Sequence, residues 1–288
     1  MTHASPTHAS PLPDPIIEPI VRLALAEDLG RAGDVTTTAT INSETKANWI
    51  MRARQQGVIA GLDAAAMALR LIDPHAIMTI ISPDGSKVVA GDTIAHLSGK
   101  AQSLLIAERV MLNFVGQLSG IATLTARFVD AVAGTNAKIA CTRKTSPGMR
   151  ALAKKAVRLG GGSNHRFALD DAILIKDNHV AAAGGVAQAL TRAKANAGHL
   201  LPIEVEVDRL SQLEEAIPFG PKCIMLDNFS LQDLATAVAR VNGKILLEAS
   251  GGVNLSTVGA IARTGVDIIS VGALTHSAPC LDIGLDDH

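Results

Sequence analysis

The sequence contains few aromatic side chains and no excess of basic charge. Of its 288 residues, one is Trp, five are Phe and none is Tyr, and 26 Lys and Arg face 27 Asp and Glu. Proteins that bind nucleic acid usually combine a basic surface with side chains that stack on bases. The composition therefore argues against a nucleic-acid partner.

Long apolar runs and secretion signals are also missing. No apolar run reaches the roughly 18 residues needed to cross a bilayer, and the first 15 residues lack the basic and apolar regions of a secretory signal. The three cysteines, Cys141, Cys223 and Cys280, are widely spaced, which is typical of reduced thiols. We therefore expect a cytoplasmic protein with no membrane partner.

The N-terminal part of the chain predicts a tail and a small mixed domain. Residues 1–14 contain the segment THASP twice and almost nothing apolar, which predicts a disordered tail. Over residues 15–115, short strand-like runs and turn signals surround a helical segment at Leu62–Ile72, which predicts an α+β domain.

A long helical stretch, Leu104 to about Val132, spans the end of that domain. Gly116 and Gly120 mark the points where the helix would break, because an interior Gly costs about 1 kcal/mol relative to Ala.

Residues 116–275 show a repeating pattern of short apolar runs separated by segments able to form helices. Strands that alternate with helices at this spacing predict βαβ units and a parallel sheet. We expect the sheet to close into an α/β barrel, with an open doubly wound sheet as the alternative, and residues 276–288 to form a C-terminal segment that returns to the N-terminal domain. The six runs are Lys138–Thr142, Ala172–Lys176, Ile203–Val207, Cys223–Asp227, Ile245–Ala249 and Ile268–Gly272.

Charged residues and glycines recur where these predicted strands end. In parallel α/β folds the functional groups gather at the carboxyl edge of the sheet, so these residues are expected to converge. Glu204 and Glu206 are unusual, because the interior of a parallel strand is normally apolar. The strand-end residues are Arg143, Lys144, Lys176, Glu206, Asp227, Ser250, Gly251, Gly252, Gly272 and Ala273.

Two glycine turns, Ser250-Gly251-Gly252 and Val271-Gly272-Ala273, follow the last two predicted strands. Such turns let backbone N–H groups approach phosphate oxygens, and many barrels bind phosphate after their last two strands. The alternative is two ordinary turns.

The segment 142–176 carries eight Lys or Arg residues and two Asp residues, in a chain whose net charge is −1. We expect Lys154, Lys155 and Arg158 to form the solvated face of a helix. Four other cations fit a polyanion site, to which His165 adds a donor. These four are Arg143, Lys144, Arg166 and Lys176.

Two carboxylates, Glu206 and Asp227, would face this cationic group, where they can bind Mg²⁺ or stabilise a developing positive charge. No CxxC or HxxxH spacing indicates a Cys/His metal site, and no GxGxxG indicates a dinucleotide loop.

Taken together, these motifs resemble the quinolinate phosphoribosyltransferase family over essentially the whole chain after the tail. The matching stretches are EDLGRAGDVTT (27–37), ERVMLNFVGQLSGIAT (108–123), TRKTSPGMRALAKKAVRLGGGSNHR (142–166), ILIKDNH (173–179), IEVEVD (203–208), IMLDN (224–228), EASGG (248–252) and SVGALTHS (270–277).

The resemblance implies a reaction in the de novo biosynthesis of NAD. Quinolinate and 5-phosphoribosyl 1-diphosphate would give nicotinate mononucleotide, diphosphate and CO₂, with Mg²⁺ as cofactor. It also implies a barrel of fewer than eight strands after a small α+β domain, and a homodimer whose subunits share their active sites. Assembly beyond the dimer stays open.

The resemblance also implies a role for each matching residue. Arg143, Lys144, His165 and Arg166 would bind the quinolinate carboxylates, and Thr142 is a further substrate-binding position. Arg109 would come from the partner subunit. The remaining implied substrate-binding positions are Lys176, Glu206 and Asp227 around the ribose, diphosphate and Mg²⁺, and Ser250, Gly251, Gly252, Val271, Gly272, Ala273 and His276 at the 5′-phosphate, with Lys144, Lys176, Glu206 and Asp227 as the catalytic set.

Two other functions stay open from the sequence. One is an enzyme of the same fold with another acceptor, such as nicotinate or the acceptor of a paralogue associated with molybdenum transport. The other is a non-catalytic metabolite-binding protein. Arg109, Arg143, His165 and Arg166 together favour a dicarboxylate acceptor.

Overall fold

A computed structural model describes residues 10–287 of the chain. Most of the predicted tail, residues 1–9, lies outside the described residues, and residues 10–13 lead directly into the first helix.

The strands are β1 (Lys46–Ala53), β2 (Gly57–Val58), β3 (Ile77–Ile80), β4 (Lys87–Val88), β5 (Thr93–Lys100), β6 (Lys138–Ala140), β7 (Ile173–Ile175), β8 (Ile203–Val207), β9 (Cys223–Asp227), β10 (Leu246–Ser250), β11 (Ile268–Ser270) and β12 (Ile283–Asp287). The helices are α1 (Asp14–Leu29), α2 (Val35–Thr40), α3 (Leu62–Ile72), α4 (Ala101–Ala131), α5 (Arg150–Leu159), α6 (Asp177–Ala183), α7 (Val186–Asn196), α8 (Leu210–Ala216), α9 (Leu231–Val241), α10 (Val258–Arg263) and α11 (Ala273–His276).

The chain divides into two compact units that are each built from more than one segment. Within the described residues, unit 1 comprises residues 10–126, 145–161 and 274–287, and unit 2 comprises residues 127–144 and 162–273. The boundary that we predicted between residues 115 and 116 falls inside α4, which runs unbroken across it.

Unit 1 contains a four-stranded antiparallel sheet in the order β12-β1-β5-β3. The last strand of the chain, β12, pairs with β1 from Trp49↔Asp287 to Ala53↔Ile283. Helix α3 begins after Gly61, whose φ of 98° is in the left-handed region that favours glycine. Burial of Leu62, Met67 and Leu69 anchors α3 in the core of this unit.

Helix α4 does not break at Gly116 or Gly120, contrary to our expectation. A Cβ atom at Gly120 would lie 2.0 Å from the carbonyl oxygen of Pro279, and one at Gly116 would lie 3.1 Å from that of Leu281. The Leu281 N–H also donates to the Gly116 carbonyl over 2.9 Å. Glycine at these positions therefore allows residues 279–281 to pass close to the helix, which stays intact.

Helix α4 is also long and apolar enough, by length and composition alone, to span a membrane. In the protein, 67% of its most apolar 18-residue window is buried. This burial is what the core helix of a folded domain requires.

Helix α5 corrects a second expectation, because Lys154 and Lys155 are buried and do not form a solvated face. Lys155 Nζ lies 2.6 Å from Asp63 Oδ2 and 3.0 Å from Asp84 Oδ2. These two carboxylates, with the hydrogen bonds they accept, hold the pKa of Lys155 above its usual range against the opposing effect of burial. Arg158 is exposed, as predicted. The segment that carries α5 belongs to unit 1, although it follows the first strand of unit 2.

Unit 2 is built on a six-stranded sheet in the order β6-β11-β10-β9-β8-β7, in which every pair is parallel. All six strands lie at the predicted apolar runs, and helices α7 to α10 pack against the strands or one another. The prediction of an α/β fold with a barrel-like parallel sheet and a separate N-terminal domain is confirmed. No ladder joins β6 to β7 among the described residues.

Candidate active site

A cavity of about 410 Å³ opens at the carboxyl ends of the six parallel strands of unit 2. Each strand, or the residues directly after it, contributes to the wall, as expected for a fold of this class. Its lining residues are Thr142, Arg143, Lys144, His165, Arg166, Leu174, Lys176, Glu206, Met225, Asp227, Glu248, Ser250 and Ser270. Nine of these residues are among those predicted for the site, and the structure brings them together in one cavity.

Side chains along β8 alternate between its two faces, which explains why two glutamates point away from the buried face. Ile203, Val205 and Val207 are buried, whereas Glu204 and Glu206 are partly accessible. Because successive side chains of a strand point to opposite faces, both glutamates lie on the other side of the sheet. Glu206 is the one nearer the carboxyl end and lines the cavity.

A return of the chain beside β6 brings His165 and Arg166 into the site. Ser163 bridges to Ala140, its N–H donates to Ile139 O over 2.7 Å, and its carbonyl accepts from Cys141 N over 3.1 Å. This short pairing occupies the side of β6 opposite β11 and places the next residues at the cavity wall.

Two arginines carry much of the positive charge of the site. Burial, and next the neighbouring Arg143, lower the pKa of Arg166. The Nε atoms of both side chains are buried and have no hydrogen-bond partner within the described part of the chain. Since a buried polar group without a partner is costly, this pair fits an anionic ligand that accepts from both guanidinium groups.

Carboxylates face these cations across the same cavity. Burial raises the pKa of Glu206, Lys176 opposes that shift, and the nearby Asp227 carboxylate reinforces it. Lys176 Nζ lies 3.8 Å from Glu206 Oε2, and Asn228 Nδ2 donates to Asp227 Oδ2 over 2.7 Å. Two neighbouring carboxylates form an oxygen donor set of the kind that Mg²⁺ prefers, so these residues fit the expected ion.

The cavity wall also contains a buried carboxyl group that strand-end reasoning did not assign. Glu248 is 2% exposed on β10, and burial, with the Glu204 carboxylate next, raises its pKa to about 7. His165 Nε2 lies 2.9 Å from Glu204 Oε2 and 3.8 Å from Glu248 Oε1. The sequence did contain a signal for Glu248, since it is a charged residue inside the apolar run ILLEA.

The glycine turns lie at the same edge of the sheet, directly after β10 and β11. Gly251 has a φ of 97°, and a Cβ atom there would come within 2.1 Å of Asn228 Oδ1. Ser250 lines the cavity, whereas Gly251, Gly252 and residues 271–273 do not. The Asn228 N–H donates to the Ser250 carbonyl over 2.9 Å, which ties the turn to the end of β9.

Besides these turn residues, two other predicted site residues are not among those that line this cavity. Arg109, on α4, is exposed, and His276, on α11, is exposed with its Nδ1 2.6 Å from Ser277 Oγ. Both belong to unit 1.

A parallel α/β barrel-like domain with cations and carboxylates at its carboxyl edge defines the class: a barrel enzyme for polyanionic ligands. Comparison with known sequences is more specific. The family model "Quinolinate phosphoribosyl transferase, N-terminal domain" matches residues 34–119, and that of the C-terminal domain matches residues 121–286. The chain belongs to the quinolinate phosphoribosyltransferase family.

Individual relatives agree with this assignment. The chain is 48% identical over 272 residues to the nicotinate-nucleotide pyrophosphorylase [carboxylating] of Mycobacterium leprae, which covers 92% of this chain and 95% of that protein. It is also similar to the structure of the nicotinate-nucleotide pyrophosphorylase from Francisella tularensis, with a TM-score of 0.92, 40% identity and coverage of 96% and 98% of the two chains.

A more distant neighbour shows the fold alone. Human nicotinic acid phosphoribosyltransferase has a TM-score of 0.60 at 14% identity, over 92% of this chain and 73% of its own.

Proposed function

We propose that this chain transfers the phosphoribosyl group of 5-phosphoribosyl 1-diphosphate to the ring nitrogen of quinolinate. The products are nicotinate mononucleotide, diphosphate and CO₂, in the de novo biosynthesis of NAD in the cytoplasm. Family membership supports this reaction. The observation that carries it is the pair of arginines, Arg143 and Arg166, whose buried Nε atoms have no partner within the described residues.

Quinolinate has two carboxylates on adjacent ring carbons, so it matches a site with several convergent cations. Arg143 and Arg166 provide two guanidinium groups for charge-assisted hydrogen bonds, and Lys144 and Thr142 line the same wall. In this proposal the bound dianion also relieves the repulsion between the two arginines.

The second substrate adds phosphate groups, for which backbone N–H donors are suitable partners. The turns after β10 and β11, with Ser250, Gly251 and Gly252 in one and Val271, Gly272 and Ala273 in the other, would hold the 5′-phosphate. Glycine at these turns lets the backbone approach phosphate oxygens closely.

The carboxylates have the sign that glycosyl transfer needs. The bond between ribose C1 and the diphosphate oxygen breaks, the oxygen leaves with the electron pair, and positive character grows on the ribose until the ring nitrogen bonds to C1. Glu206 and Asp227 can stabilise that charge, and Lys176 can neutralise the leaving diphosphate. When bound to Glu206 and Asp227, Mg²⁺ would supply further charge neutralisation for the diphosphate oxygens.

Loss of CO₂ follows from the positive charge on the alkylated ring. The bond to the carboxylate next to the nitrogen breaks, its electron pair stays on the ring carbon, and a proton replaces the carboxyl group. No nucleophile is required, and the chain contributes mainly by holding the ring in place.

The active site would be completed by a second copy of the chain. In a homodimer with two-fold symmetry, Arg109 of each subunit would reach the cavity of the other, so that two equivalent sites form at once. The exposed position of Arg109 on α4 is compatible with this role, and His276 would lie near the 5′-phosphate.

The reaction can be tested by mass spectrometry of the products. Protein incubated with quinolinate, 5-phosphoribosyl 1-diphosphate and Mg²⁺ should form nicotinate mononucleotide and release one CO₂ per turnover. Nicotinate in place of quinolinate separates the main alternative: efficient conversion of nicotinate without CO₂ would contradict the proposal. Calorimetric binding of both substrates without any product would instead indicate a non-catalytic binding protein.

A further inference from the structure

We propose that His165 is a positioning residue, which holds the backbone of Arg166 at the wall of the cavity through its ring nitrogen Nδ1. This inference deepens the proposed function and rests on it, because it gives a positioning role to one of the residues expected to bind quinolinate. It is carried by what each ring nitrogen of His165 contacts.

The first contact is to the neighbouring residue. The Arg166 N–H donates to His165 Nδ1 over 2.7 Å. An imidazole nitrogen that accepts a hydrogen bond carries no proton, so the ring proton lies on Nε2. The Nδ1 atom is then committed to the main chain and has no hydrogen to offer a carboxylate.

The second contact is to two carboxylates. His165 Nε2 lies 2.9 Å from Glu204 Oε2, with Glu248 Oε1 3.8 Å away. The Nε2 end of the ring therefore lies beside these carboxylates, whereas Nδ1 is bound to the main chain.

Arg166 is thereby held at both ends. Its N–H is bound by His165, and its Nη1 donates to Ala172 O over 3.0 Å. The Nε atom remains without a partner within the described residues, at the wall of the cavity. A charge-assisted hydrogen bond to a carboxylate depends on geometry, so the placement of the guanidinium affects its strength.

A metal ion is the competing explanation for this cluster. One ligand atom each from His165, Glu204 and Glu248 lies within 4.8 Å of the others. However, a ring that accepts at Nδ1 and coordinates a metal through Nε2 would have to lose both of its protons. The raised pKa of Glu248 also argues against a metal ion, because a proton on Glu248 relieves the repulsion between the Glu204 and Glu248 carboxylates.

Two substitutions of His165 separate positioning from direct binding. His165→Asn keeps an oxygen near the place of Nδ1, where it can accept the Arg166 N–H. The same local geometry occurs in this chain, since Asp177 Oδ1 accepts from Asn178 N over 2.7 Å. His165→Gln instead keeps a donor near the place of Nε2 and loses the acceptor. Matched Asn and Gln substitutions at exposed His199 control for the exchange itself.

Positioning predicts that the Asn variant binds quinolinate about fivefold more tightly than the Gln variant, since one hydrogen bond is worth about 1 kcal/mol. Both variants should keep similar affinity for 5-phosphoribosyl 1-diphosphate, and both His199 variants should match the unsubstituted protein. Equal affinities, or tighter binding by the Gln variant, would overturn the inference.

Nitrogen NMR of the unsubstituted, histidine-labelled protein needs no variant to fold and no quinolinate to bind. The His165 ring, assigned by its absence from the spectrum of either variant or of His165→Ala, should show a protonated Nε2 and an unprotonated Nδ1. A protonated Nδ1, or Zn²⁺ that co-purifies and shifts the Nε2 resonance when removed, would overturn the inference. Failure of the unsubstituted protein to bind quinolinate would count against the proposed function, while the ring tautomer still decides the role of His165.

Discussion

Lys176 Nζ lies 3.8 Å from Glu206 Oε2, where β7 and β8 end side by side. Lys176 is half exposed, and Glu206 is largely buried. The lysine lowers the pKa of Glu206 only in part, since burial and the Asp227 carboxylate keep it above its usual range. A cation at the rim and carboxylates behind it suit a substrate that enters with negative charge and develops positive charge as it reacts.

Arg166→Ala should weaken quinolinate binding by roughly tenfold to a hundredfold, because a charge-assisted hydrogen bond to a carboxylate is lost. Affinity for 5-phosphoribosyl 1-diphosphate should change by less than about threefold, since its backbone donors remain. Calorimetric titration with each substrate measures the two effects. Arg192→Ala, at an exposed position of the same unit, serves as the control, and equal losses for both substrates would contradict the assignment.

Asp227→Asn should fold normally and lower kcat by roughly a hundredfold or more, because it removes negative charge that stabilises the transition state. The side chain keeps its size, so circular dichroism and the unfolding temperature should hardly change. Asp208→Asn, at an exposed carboxylate just beyond β8, should retain activity. An unchanged kcat for Asp227→Asn at saturating Mg²⁺ would remove this residue from the mechanism.

The stability of the protein should depend on pH through Glu248, whose pKa is raised from 4.5 to about 7 by burial and by Glu204. The folded state binds this proton more tightly than the unfolded chain. The contribution of Glu248 to the free energy of unfolding is therefore fully present below pH 4.5, and it is lost as the pH rises through about 7.

Urea unfolding across this range tests the effect, with Glu248→Gln as the neutral variant. Relative to the unsubstituted protein, the variant should become progressively more stable as the pH rises. Asp170→Asn, at an exposed position, should show no such trend, and a constant difference between Glu248→Gln and the unsubstituted protein would refute the assignment.

The shared active site can be tested by mixing two inactive variants, Arg109→Ala and Lys176→Ala. If Arg109 acts in the partner's cavity, each mixed dimer has one site with both residues intact and one site lacking both. Random mixing makes about half of the dimers mixed, so refolding the variants together should restore about a quarter of full activity. No recovery, with mixed dimers confirmed by native mass spectrometry, would mean that Arg109 acts within its own chain.

The sequence predicted the catalytic unit well because its signals are local. A short apolar run between turn residues has few alternatives to a buried strand, and all six such runs in unit 2 form strands. Parallel strands then bring their carboxyl ends to one edge, so Lys176, Glu206 and Asp227 line one cavity although they are far apart in sequence.

The remaining features depend on contacts between segments that are distant along the chain, which no local pattern records. Gly116 and Gly120 read as helix breakers, yet they remain helical because residues 279–281 pass close to them. Lys155 reads as a surface charge, yet Asp63 and Asp84 hold it in the interior. The sequence alone determined the strands, their order along the chain and the charge of the site. Only the tertiary structure decided which polar groups are buried together, as with His165, Glu204 and Glu248, because burial and pairing depend on the packing of the whole chain.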